Sequence, residues 1–121
     1  MENPIVEIEK FFVQDNCCYR SGKIWEASTL FNASKGLKPY NLQLAAIDLT
    51  NAFPSASNIA EFVFQVKRMQ QVDLSYPIIQ APDGWIMDGY HRIAKAILEG
   101  KTTIKAVRLP ALPEPDREEK E

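Results

Sequence analysis

Apolar positions change their spacing several times along the chain, and each change marks an element. Residues 5–13, Ile-Val-Glu-Ile-Glu-Lys-Phe-Phe-Val, are rich in β-formers and alternate in part. Asp15-Asn16 reads as a turn, and Cys17 to Trp25 as a returning strand, so the N-terminal part is expected to be a hairpin. Ser28 is placed to cap a short helix ending near Ser34, with Gly36 as its stop and Pro39 barring further helix. Leu42, Leu44 and Ile47 suggest a short strand running into Asp48-Leu49.

The second half is more sharply patterned. Ile59, Phe62, Val63, Val66 and Met69 recur at helical spacing, and Asn58 with Glu61 three residues later forms a capping-box-like start. The spacing predicts a helix over 59–71, with Lys67, Arg68, Gln70 and Gln71 off its apolar stripe. Pro77-Ile78-Ile79-Gln80 reads as a strand, Pro82-Asp83-Gly84 as a turn, and Trp85-Ile86-Met87 as the hairpin partner. A helix over 90–99 follows, its expected buried stripe Tyr90, Ile93, Ala94 and Ile97, with Gly100 as its stop. Thr103–Leu109 closes the pattern as a strand in which Ile104, Ala106 and Arg108 alternate against Lys105 and Val107. Strands and helices interleaved in this way predict an α+β fold, one mixed sheet with helices packed against it.

Composition narrows the class. At 121 residues, with 45% hydrophobic and 25% charged positions, the chain has the size and balance of one globular domain. The stretch from Ala111 holds five acids and two bases, so it carries −3 and the remainder sums to +1. With its prolines it is expected to be an acidic disordered tail over 111–121. A near-neutral body offers no charge argument for nucleic-acid binding. The two cysteines, Cys17 and Cys18, are adjacent, which suits neither an ordinary disulfide nor a zinc spacing. No apolar run is long enough for a membrane span, and no secretory pattern opens the chain, so the cytoplasm is the expected location.

The stretch with chemical potential is Asp88-Gly89-Tyr90-His91-Arg92, where a strand passes into the first turn of a helix. Helix starts offer N–H groups and partial positive charge, a setting that suits anions. Gly89 tolerates positive φ and lets backbone approach a ligand. His91 and Arg92 lie off the expected stripe and add side-chain donors, and a guanidinium grips phosphate through two bonds. The plainer reading is an Asp88–Arg92 pair four residues apart with Asp88 as an ordinary cap. Asp88 would repel a bare phosphate unless Mg2+ or Arg92 offsets its charge.

Asp73-Leu74-Ser75-Tyr76-Pro77-Ile78-Ile79 followed by Asp83-Gly84-Trp85-Ile86-Met87-Asp88-Gly89-Tyr90-His91-Arg92-Ile93-Ala94-Lys95-Ala96 resembles the ParB/sulfiredoxin superfamily. The resemblance runs over roughly residues 25–109 and is nearest to small stand-alone ParB-like proteins. It implies a ParB/sulfiredoxin-like domain over 25–110 behind an N-terminal extension, 1–24. It implies a nucleotide-phosphate pocket at the start of the 90–99 helix, with ATP or CTP and Mg2+ as ligand. His91 and Arg92 inherit the phosphate contacts made by the matching residues of sulfiredoxins. Two departures limit it. Tyr90 stands where sulfiredoxins carry their nucleophilic cysteine, so sulfinic-acid reduction is not expected. The length also leaves no room for the helix-turn-helix and dimerisation domain of a partition protein.

Residues around the expected pocket complete the candidate set. Lys67 lies on the polar side of the 59–71 helix, and Asp73 and Ser75 precede the first hairpin strand; all three are candidate ligand-binding residues. Asp48 is either a general base for phosphoryl transfer or a turn residue beside Thr50-Asn51. Phosphohydrolase or phosphotransferase activity is one functional expectation. A non-catalytic module that docks on a protein or on DNA is the other. One histidine and no acidic cluster of recognisable spacing speak against a nuclease.

Overall fold

The computed structural model describes residues 3–8, 17–50 and 56–119. A hairpin of β1 (Cys17–Arg20) and β2 (Lys23–Glu26) leads directly into α1 (Ala27–Ser34). Then come β3 (Tyr40–Gln43) and a short 3-10 turn over Leu44–Ala46, followed by α2 (Ile59–Gln71). The chain continues through β4 (Ile78–Gln80), β5 (Ile86–Asp88), α3 (Tyr90–Leu98), β6 (Thr103–Arg108) and β7 (Arg117–Glu118). The result is one small α+β domain with a mixed four-stranded sheet, order β3-β6-β4-β5, and a second three-stranded sheet, order β1-β2-β7.

β4 is the pivot of the larger sheet. It runs parallel to β6 and antiparallel to β5, and α3 lies in the connection that returns the chain to β6. A strand paired on both sides and covered on both faces should read as continuous apolar sequence, which Pro77-Ile78-Ile79 does. Ile78 and Ile79 point to opposite faces, and each anchors a separate core cluster. On one face Ile79, Met87 and Val107 meet Trp25 and Leu30 from the β2–α1 segment. On the other, Ile78, Ile86 and Ala106 meet Ile93 and Ala96 of α3. Val107, expected on a polar face, is therefore core: β6 is covered on both sides, and simple alternation does not describe it.

The N-terminal part differs from the expected hairpin. Residues 3–8 have no regular structure, and 9–16 lie outside the described residues. The span Cys17–Trp25, expected as one strand, folds on itself instead. Ser21 and Gly22 both take positive φ (52° and 79°), the two-residue turn that matches strand twist. Cys18 and Trp25 then pack beside Ile79 and Met87, so the β1–β2 hairpin contributes to the core through these two side chains.

The acidic segment also differs from the disordered tail expected of it. Asp116 accepts from the Glu26 N–H (2.8 Å) and the Thr29 hydroxyl (2.9 Å), and so caps α1. That helix starts at Ala27, and Ser28, expected as its cap, lies inside it. Trp25 Nε1 donates to the Pro113 carbonyl at 2.8 Å, and β7 pairs with β2. A run of acids and prolines reads as solvated chain, but one aspartate at a helix start and one strand edge suffice to fix it.

Candidate functional site

The elements that converge on the start of α3 are β5, α3 itself, the β4 approach and the middle of α2. Gly89 is the N-cap of α3, with φ 115°, a conformation glycine alone adopts without strain. A Cβ there would collide with Ile78 Cγ2 and lie 2.7 Å from Ile78 Cβ. Glycine is thus required by the close approach of β5–α3 to β4; its missing side chain makes room for Ile78 rather than for a ligand.

Asp88 ends β5 and is 7% exposed. It accepts from Arg92 Nη2 at 2.7 Å, in a pair whose side chains are 11% and 8% exposed. Arg92 Nη1 also donates to the carbonyls of Pro77 (2.8 Å) and Tyr76 (3.2 Å). One guanidinium therefore ties the first turn of α3 to β5 and to the segment entering β4. The local pair weighed from the sequence is present, but Asp88 precedes the cap position and Arg92 is a clasp.

His91 is 7% exposed, not on an open helix face. The buried residues of α3 are His91, Ile93 and Ala96, while Ile97, placed on the stripe by its spacing, is exposed. The stripe is turned from the expected one because α3 is covered from two directions, by the sheet and by α2. His91 Nε2 donates to Gln65 Oε1 of α2 at 2.6 Å. Burial, and then the charges of Arg68 and Arg92, push the imidazole from its ordinary range down to about 4. At neutral pH the ring is uncharged.

Arg68 is the residue that the candidate set lacked. It is half-buried on α2, with burial pulling its pKa down and the Asp88 carboxylate opposing that. Lys67, its neighbour and a candidate, is exposed. The signal was available in the spacing: Gln65 and Arg68, three apart, share one face, and that face meets α3. Lys95 closes the other end of the contact. Its Nζ donates to the carbonyls of Val72 (2.8 Å) and Gln70 (3.1 Å), where a cation satisfies the last turn of α2.

The remaining candidates form turns. Asp73 Oδ1 accepts from the Ser75 N–H at 2.9 Å, which holds its carboxyl below the usual range; both residues are exposed. Asp48 Oδ1 accepts from the Thr50 N–H (2.9 Å) and hydroxyl (2.6 Å), and its pKa is lowered likewise. A carboxyl held ionised in this way is a weak base, so the turn reading fits Asp48. Cys18 is buried, and its thiol is pushed up to about 12, chiefly by burial. It is no nucleophile at neutral pH. Among the described residues no group of three or more His, Cys, Asp or Glu is arranged to hold a metal. No helix of the described residues is long and apolar enough to cross a membrane.

A scan against models of protein families finds no match, and searches of curated proteins and of solved structures find none either.

Proposed function

We propose that the chain binds a phosphate-bearing ligand where β5 passes into α3, a nucleotide of the ATP or CTP kind accompanied by Mg2+, and that Arg68 supplies the gripping guanidinium. What supports this reading is that two cations, Arg68 of α2 and Arg92 of α3, both act electrostatically on His91 at the positive end of α3. Arg92 Nη2 holds Asp88, which offsets the acid that would otherwise repel a phosphate. The resemblance of residues 73–96 to the ParB/sulfiredoxin superfamily points to the same helix start. Within it, the roles divide differently from a direct carry-over: His91 and Arg92 shape the site, and Arg68 is the α2 contribution.

The reading stops at binding. Phosphoryl transfer needs a base or nucleophile near the phosphate. His91 is engaged with Gln65, Tyr90 donates its hydroxyl to the Ile86 carbonyl at 2.9 Å, and the Cys18 thiol is held protonated.

Thermal unfolding with ATP, CTP, GTP, ADP or inorganic phosphate, each with and without Mg2+, tests this. A ligand that binds the native state alone stabilises it by about 2.7 kcal/mol at a hundredfold excess over Kd. The expected result is a shift for a nucleotide that Arg68→Gln removes, with the unliganded melting temperature little changed. No shift for any of the five contradicts the reading. It would favour a non-catalytic docking module, a role suited to Ile59 and Phe62 of α2, 84% and 62% exposed.

A further inference from the structure

Residues 110–119 follow β6, and none of them is buried. Neither core cluster includes a residue beyond Leu109. What ties the segment down is a row of hydrogen bonds along β2 and the start of α1. Trp25 Nε1 donates to the Pro113 carbonyl at 2.8 Å. The N–H groups of Asp116 and Glu119 donate to the carbonyls of Ile24 (2.9 Å) and Gly22 (2.8 Å). The Asp116 carboxylate accepts from the Glu26 N–H and the Thr29 hydroxyl, and these bonds hold its carboxyl below the usual range. At neutral pH it is therefore a charged acceptor, the stronger kind.

The receiving surface is built differently. Trp25 is 1% exposed, and Ala27 and Leu30 of α1 are buried, so β2 and the start of α1 are fixed by the core. β2 pairs with β1 on one side, and its other edge takes the 117–118 strand. A fixed edge that holds an unburied strand has the geometry of strand addition, where backbone bonds give affinity and a few side-chain contacts give selectivity. We propose that the β2 edge and the start of α1 form a docking groove for an extended peptide of another protein, filled in cis by residues 113–119. This goes beyond the phosphate reading and does not depend on it.

The cis occupant displays the pattern that the groove reads. It has an extended backbone, a carbonyl for the Trp25 indole, and an aspartate three residues later for the Glu26 N–H and Thr29. A second copy of this chain is the poorer occupant, because exchange re-forms the same bonds and loses the freedom of a second molecule. Residues 110–112 link Leu109 to the seated part, so the cis segment acts at an effective concentration on the order of millimolar. A partner enters when those cis bonds are weakened.

The test uses the full chain, 15N-labelled, with Asp116→Ala to weaken the cis occupant. Exchange of the Glu26 and Glu119 amides should quicken by about tenfold or more, the usual worth of hydrogen bonds to a charged group. The Ala81 and Ile93 amides should keep their protection. An unlabelled peptide of residues 111–119 should then return the Trp25 indole and Glu26 amide NMR signals to their wild-type positions, saturably. The same peptide with alanine in place of its aspartate should not. Should the variant fold poorly, a glycine-serine insertion of about ten residues between Ala111 and Leu112 lowers the cis effective concentration and leaves both surfaces intact, and the peptide should compete there too. Any of four results overturns the proposal: residues 117–119 as protected in Asp116→Ala as in the wild type, no movement of either signal at millimolar peptide, equal action of the two peptides, or variant chains that pair with one another in place of taking the peptide.

Discussion

Helix α3 is nine residues long and buries three side chains; α2 is thirteen residues long and buries none. Both are amphipathic, and α2 has the better cap, with Asn58 accepting from the Glu61 N–H at 2.8 Å. The difference lies in what each meets. α3 is laid across a sheet by the short β5–α3 turn and contributes Ile93 and Ala96 to the cluster around Ile78. α2 lies against α3, on contacts that include Gln65, Arg68 and the carbonyls of its last turn. An apolar stripe secures a helix to the core only where it reaches it, and α2, with Phe64, Val66 and Met69 half-buried, stays outside both core clusters.

That contrast can be broken or sharpened by substitution. The largest effect is expected for Arg92→Ala, which removes the guanidinium that bonds the buried Asp88 carboxylate and the carbonyls of Tyr76 and Pro77. Removal of one member of a buried pair costs about 3–5 kcal/mol, and urea denaturation should register it as a lower midpoint. Ile93→Ala should follow at about 2–4 kcal/mol, the usual range for emptying a packed aliphatic site. Asn58→Ala removes the α2 cap and should cost about 1 kcal/mol. Phe62→Ala should cost less than about 0.5 kcal/mol, as an exposed substitution does. An equal loss for Phe62→Ala and Ile93→Ala would erase the contrast between the helices.

Much of this architecture was legible in the residues. Residues 59–71 were delimited correctly by the Asn58 cap and the apolar spacing, and β4, β5 and α3 fell within a residue of their expected bounds. What was not legible depended on partners remote in sequence. Asp116 caps a helix that starts about ninety residues earlier, and no local pattern announces that. The face of α3 that is buried depends on α2 as well as on the sheet, so the stripe that held Ile97 was read in place of the one that holds His91. At the candidate site the residue types were legible and their roles were not. Gly89, His91 and Arg92 all lie at the start of α3, but Gly89 makes room for Ile78, and His91 and Arg92 already have protein partners. Lys67 and Arg68 are neighbours in sequence, and only the direction of α2 separates the exposed one from the one whose charge acts on His91.

The sole histidine offers the most direct test of whether a phosphate group belongs at the start of α3. Its ring feels the charges of Arg68 and Arg92, so an anion held by them must change the field there. The measurement is the His91 imidazole NMR signal, followed at neutral pH as ATP with Mg2+ is added. A saturable shift that Arg68→Gln abolishes is the result predicted. A His91 signal that does not move at millimolar ATP, in a protein that remains folded, would contradict the assignment of a phosphate site to this helix start.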